Sequence, residues 1–181
     1  GAGTEWVELM LSMTQNATAG TTVVKPDHPV KDGDELQIGG LTYRVMNNDK
    51  AHTDTDIMLH VPEKSLIFLG DNAGHERILR LEGGSFPGNV AALENAIATG
   101  ASVFVPGHGP SGGREVAERY RDYLKTVYST AQIGVDEGLA DFEIRPLLVP
   151  KLEPWSQWAG FEHELGRHIN GAYLEAEAAA F

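Results

Sequence analysis

Residues 57–71 read IMLHVPEKSLIFLGD. Residues 57–61 and 66–69 are short apolar runs of the kind that suit a pleated, half-buried surface. Pro62-Glu63-Lys64 separates them, and proline cannot donate a hydrogen bond to a sheet ladder. The reading is two strands around a tight turn, the second closed by Gly70, with Asp71 where the sheet gives way. A further apolar run, Ser102-Val103-Phe104-Val105, ends in the same manner at Pro106-Gly107-His108-Gly109-Pro110. Residues at such strand ends converge along one rim of a sheet. Asp71 and His108 are therefore expected on one rim.

A third segment, Ala51-His52-Thr53-Asp54-Thr55-Asp56, places His52 in a polar turn just before the first of these strands. Imidazole nitrogen and carboxylate oxygen are donors suited to zinc or iron. The chain has no cysteine, so thiolate ligands and disulfides are excluded. His52, Asp71 and His108 together read as part of a metal site.

The order and flanks of these segments resemble the metallo-β-lactamase superfamily: a His in a Gly-His-Thr-like turn, a strand, a Pro-Glu-Lys turn, a strand closed by Gly-Asp, and a Gly-His-Gly-like turn. The resemblance implies an α+β fold, the C-terminal part of an αββα sandwich, with a mixed or antiparallel sheet and helices on its outer face. It also implies two metal positions, zinc first with iron or manganese as alternatives. His52 would hold one metal and His108 the other, with Asp71 as the bridging, catalytic carboxylate. The implied activity is metal-dependent hydrolysis of an ester, amide, sulfate or phosphate substrate. The tail, residues 158–181, resembles the C-terminus of a subgroup found near sulfur-oxidation and quinoprotein genes.

The family's upstream His-x-His-x-Asp-His motif does not occur in this sequence. The one histidine before His52 is His28, in Pro26-Asp27-His28-Pro29. The expectation is a chain that carries the C-terminal part of the fold and is inactive by itself, since three ligands shared by two positions under-coordinate each ion. The competing expectation is a non-catalytic binding or scaffold piece. In either case a sheet without its cover exposes apolar surface, so the expected partner is a second copy or the missing upstream half.

A net charge of −12 repels phosphate backbones and anionic lipid, which leaves a small-molecule substrate and neither nucleic acid nor a membrane. No apolar run approaches the roughly 18 residues of a membrane-spanning helix. Gly1-Ala2-Gly3-Thr4 shows no signal-peptide pattern, and the compartment is left open. Residues 1–181 read as a single domain.

Along the rest of the chain, residues 5–15 carry a helical stripe at Trp6, Val7, Met10 and Leu11. Residues 21–25 read as a β-branched strand ended by Pro26. Leu36 and Ile38 alternate inward before Gly39-Gly40, a hairpin signal, and Leu41, Tyr43 and Val45 follow. Helices are expected near 89–99, after Gly112-Gly113 as far as Gly134, and from Phe161 through Ala176; residues 141–148 form a short helix or turn. Asp56 reads as a strand-edge carboxylate, with an orienting role toward His52 as the alternative. His28, His60, His75, His163 and His168 read as structural, and of these His75 is the one placed to line a site four residues after Asp71.

Overall fold

The computed structural model describes residues 2–22, 24 and 26–180. Two compact units make up the chain, Gly1–Val30 and Lys31–Phe181. The first contains helix α1 (Ala2–Met13), whose end is closed by Asn16 N–H donating to the Leu11 carbonyl at 2.8 Å. Of its expected apolar stripe, Trp6 is 61% exposed and Val7 is exposed too, while Met10 and Leu11 are half-buried. The strand expected over residues 21–25 does not form at Thr21, Thr22 or Val24; Val23 and Lys25 lie outside the described residues. A strand needs a partner ladder, and the Thr21 N–H is turned back to the Thr18 carbonyl instead.

The second unit holds a five-stranded mixed sheet: β1 (Glu35–Ile38), β2 (Leu41–Asn47), β3 (Ile57–Val61), β4 (Leu66–Gly74) and β5 (Val103–His108), in that spatial order. The first three pairings are antiparallel and β4–β5 is parallel. A short 3-10 turn, Pro62–Lys64, joins β3 to β4. The parallel step requires a crossover, supplied by helix α2 (Phe86–Ala98). Helices α3 (Glu115–Asp136), α4 (Asp141–Leu148) and α5 (Phe161–Ala180) follow. No described helix is long and apolar enough to cross a membrane.

Register assigns the two faces of the sheet. His60 pairs with Ile67 and Ile67 with Phe104, so these share one side. Ile67 and Phe104 are fully buried in a core with Leu93, Val116, Leu124 and Leu165 of the helices. Val45, Leu59, Phe68 and Val105 form the neighbouring row, and their side chains stand on the opposite side. On that side Phe68 is 40% exposed and Ile38 58%, so Ile38 does not point into a core as its alternation suggested. No described helix covers β1, which is also an edge strand.

Two strand ends differ from expectation. β4 continues through Asp71 to Gly74, and β5 continues through Pro106 to His108, because the two parallel strands keep pairing past their glycines with register shifts after Phe68 and Gly70. α2 begins at Phe86, earlier than the expected 89, because Ser85 caps it: its Oγ accepts the Gly88 N–H at 3.0 Å.

Candidate metal-type site at the end of the β4–β5 pair

Asp71 and His108 are brought side by side by the parallel pairing of their strands. Gly74 is in register with His108, and the His75 N–H donates to the His108 carbonyl at 2.9 Å. Across this pair His108 Nε2 lies 3.5 Å from Asp71 Oδ1, both side chains about half-exposed. Gly107 makes room for the carboxylate, since a Cβ there would overlap Asp71 Oδ1.

His52 arrives from the β2–β3 loop. Its N–H donates to Oδ1 of Asn72 at 3.3 Å, and Asn72 is the fully buried neighbour of Asp71 on β4. Asp56 folds the loop by accepting the Thr53 N–H. Ser85 N–H donates to the Ala51 carbonyl at 2.8 Å, and Gly84 lets the carbonyls of Ala51 and His52 lie against it where a Cβ would not fit. Asp56 thus acts on the loop backbone beside His52.

His52, Asp71 and His108 line one cavity of about 460 Å³ with Arg77, Arg80, His163 and Glu164. His163 Nδ1 donates to Glu164 at 2.5 Å, and Arg167 donates to it at 3.2 Å. Burial pushes the Glu164 carboxyl up, but these hydrogen bonds outweigh it and hold the carboxyl below its ordinary range. Behind the cavity, His168 is buried with Nδ1 2.9 Å from the Tyr123 hydroxyl and Nε2 unpartnered. Burial lowers its pKa to about 4, against the opposing pull of Glu164, so it is neutral at pH 7. His75 turns away: its Nδ1–H donates to the Pro110 carbonyl at 2.8 Å and its ring meets Trp158 edge-on.

The donors fit zinc in kind but not yet in arrangement. His52 carries a buried Nδ1 with no hydrogen-bond partner, a nitrogen whose lone pair or proton nothing else in the protein engages. Among the described residues, however, no three His, Asp or Glu side chains are close enough to hold an ion together. Zinc takes about four ligands in all.

Reading the sequence alone missed Asn72, Arg77, Arg80, His163 and Glu164. Asn72 carried a signal, directly beside Asp71 in a strand. The others reach the cavity only through tertiary packing.

No protein-family model matches this chain, and no curated protein matches it. Solved structures do. A metallo-β-lactamase family protein from Thermus thermophilus has a TM-score of 0.59 at 19% identity over 98% of this chain and 60% of its own. A metallo-β-lactamase from Pontibacter korlensis gives 0.50 at 21% over 65% of this chain and 55% of its own. This chain carries part of the metallo-β-lactamase fold. A stereoselective inverting sec-alkylsulfatase from Pseudomonas sp. is also similar, with a TM-score of 0.66 at 15% identity over 84% of this chain and 27% of its own. The chain therefore spans under two thirds of the length of each protein. Within the metallo-β-lactamase fold, the end of the β4–β5 pair carries the candidate site.

Proposed function

We propose that the chain is part of a metal-dependent hydrolase of the metallo-β-lactamase superfamily, with His52 and His108 holding zinc and Asp71 bridging between them. The observation that carries this reading is that these three side chains, far apart in sequence, line a single cavity. A zinc ion held by these residues would supply Lewis acidity and lower the pKa of a bound water to about 7. One similar structure is a sec-alkylsulfatase, so sulfate esters stand beside carboxylic esters, amides and phosphate esters as substrates.

A second reading is a non-catalytic binding piece. It is favoured by the lack of a three-ligand group among the described residues and by Phe68, half-exposed on the face of the sheet away from the helices. Metal binding separates the two. Protein freed of metal on chelating resin is titrated with zinc, alongside His52→Ala, Asp71→Asn and His108→Ala. Stoichiometric zinc that survives dialysis and is lost in each variant supports the hydrolase reading. Failure of the wild-type chain to take up zinc leaves the binding piece.

A further inference from the structure

His108 ends β5 inside a loop that packing does little to fix. Phe104 and Gly112 close that loop: Phe104 N–H donates to the Gly112 carbonyl at 2.9 Å and Gly112 N–H to the Phe104 carbonyl at 3.1 Å. Between them lie Gly107 and Gly109, the latter at φ +95°, and the His108 side chain is 49% exposed. Glycines leave a backbone more freedom than any other residue. A side chain that is to hold an ion must instead be kept to within about 0.5 Å of its working position.

His75, directly after β4, grips this loop twice. Its N–H donates to the His108 carbonyl at 2.9 Å, and its ring Nδ1 lies 2.8 Å from the Pro110 carbonyl oxygen. A carbonyl only accepts, so Nδ1 carries the proton and donates it. The two bonds fall on either side of Gly109, where a Cβ would overlap the His75 carbonyl oxygen. The ring is braced in turn. It meets Trp158 edge-on with centroids 6.2 Å apart, and Trp158 is buried under the Arg119 guanidinium at 5.2 Å. Arg119 is itself tied down, donating from Nη2 to the Pro154 carbonyl at 3.3 Å. Pairing of the backbone needs only the His75 N–H, which any residue but proline supplies. The second bond needs a side-chain donor at the place of Nδ1.

We propose that His75 is a positioning residue for His108: its Nδ1–H, braced by Trp158, fixes the loop so that the His108 ring stays against Asp71. The proposal deepens the hydrolase reading and rests on it for the purpose of the fixed ring. The clamp itself requires no metal.

Nuclear magnetic resonance of the metal-free chain tests the clamp directly. At about pH 8, where an unperturbed imidazole is neutral, long-range proton–nitrogen spectra should show His75 with its proton on Nδ1. Nuclear Overhauser contacts should join the His108 ring to the Asp71 β-protons. His75→Phe keeps a ring against Trp158 and removes the donor. It should lose the contact and bind zinc about tenfold more weakly, the lower end of the loss for groups that orient a metal ligand. His75→Asn puts a donor back near the place of Nδ1 without the ring. It should recover the contact and most of the zinc affinity, which a role in packing alone would not produce. A wild-type His75 protonated on Nε2 overturns the proposal whatever the variants do. A folded His75→Phe that keeps the contact of His108 with Asp71 overturns it as well. Zinc titration of the same samples keeps the two readings apart. A wild-type chain that takes up no zinc removes the hydrolase and leaves the clamp to the spectra, and equal zinc affinity in wild type and His75→Phe removes the clamp alone.

Discussion

Gly107 leaves the space that the Asp71 carboxylate fills. A Cβ at position 107 would overlap Oδ1 of Asp71 and stand 2.7 Å from the Gly70 carbonyl oxygen, closer than real Cβ contacts come. The glycine before His108 is thus what allows carboxylate and imidazole to stand side by side at 3.5 Å.

Gly107→Ala is therefore expected to push Asp71 away from His108 and strain the backbone of β4. Overpacking of this kind costs about 1–3 kcal/mol. Thermal melting reads that loss, and zinc titration reads the displaced carboxylate as weaker binding. An alanine variant with unchanged zinc affinity would show that the pairing of Asp71 and His108 has no part in metal binding.

Glu175 on α5 fastens the start of α2. It accepts from Ser85 Oγ at 2.6 Å and from the Phe86 N–H at 2.8 Å, satisfying backbone groups that a helix start leaves open. Glu175→Ala should cost about 1–3 kcal/mol, the range for a hydrogen bond to a charged group. Ser85→Ala removes the cap as well and should cost about 1 kcal/mol. The two residues share one network, so the double variant should lose less than the sum. Urea unfolding of the three variants measures all of this, and strict additivity would contradict the network.

Much of this arrangement was legible in the chain. The apolar runs around Pro62-Glu63-Lys64 and before Gly107 are local patterns, and β3, β4 and β5 form where those patterns stand. His52, Asp71 and His108 were expected together because strand ends gather on one rim, and they line one cavity. Strand lengths were not legible. Gly70 adopts φ +56° inside β4 and the ladder resumes beyond it, which a glycine in sequence cannot announce. Arg77 and Glu164 were not singled out, and His163 was read as structural, for a different reason. Their place in the cavity depends on how α5 and residues 76–80 dock, through backbone bonds such as that of Ile78 to Ala159.

His168 makes stability depend on pH. Its folded pKa is lowered by burial to about 4 from an ordinary 6.5, so between these values the unfolded chain binds a proton that the folded one refuses. Stability is then unaffected above about pH 6.5 and falls as pH drops toward 4. Each tenfold change in proton affinity is worth about 1.4 kcal/mol, which makes the full loss on the order of 3 kcal/mol. His168→Gln, which does not titrate, should be less stable at pH 7 through its altered bond to Tyr123, yet lose less between pH 7 and 4.5. Parallel pH curves for wild type and variant, measured by urea unfolding, would rule His168 out as the source.

Phe68 tests the open part of the sheet's second face. It stands in one row with Val45, Leu59 and Val105, on the side opposite the helices; Val45 is buried, but Phe68 remains 40% exposed with Ile57 and Val103 at 37% each. Burying such side chains is worth roughly 1.5–3 kcal/mol apiece, enough in combination to drive association. The chain is expected to self-associate through this face, two sheets packing about 10 Å apart. Light scattering should give a mass above 19.6 kDa. Phe68→Lys sets a charge in the middle of that contact and should return the mass toward the monomer, while the helical core, on the other side of the sheet, keeps its fold. Mass spectrometry of the purified sample distinguishes a second copy from a different polypeptide on the same face. A wild-type chain that runs as a monodisperse 19.6 kDa species at high concentration would mean that this face rests stably in water.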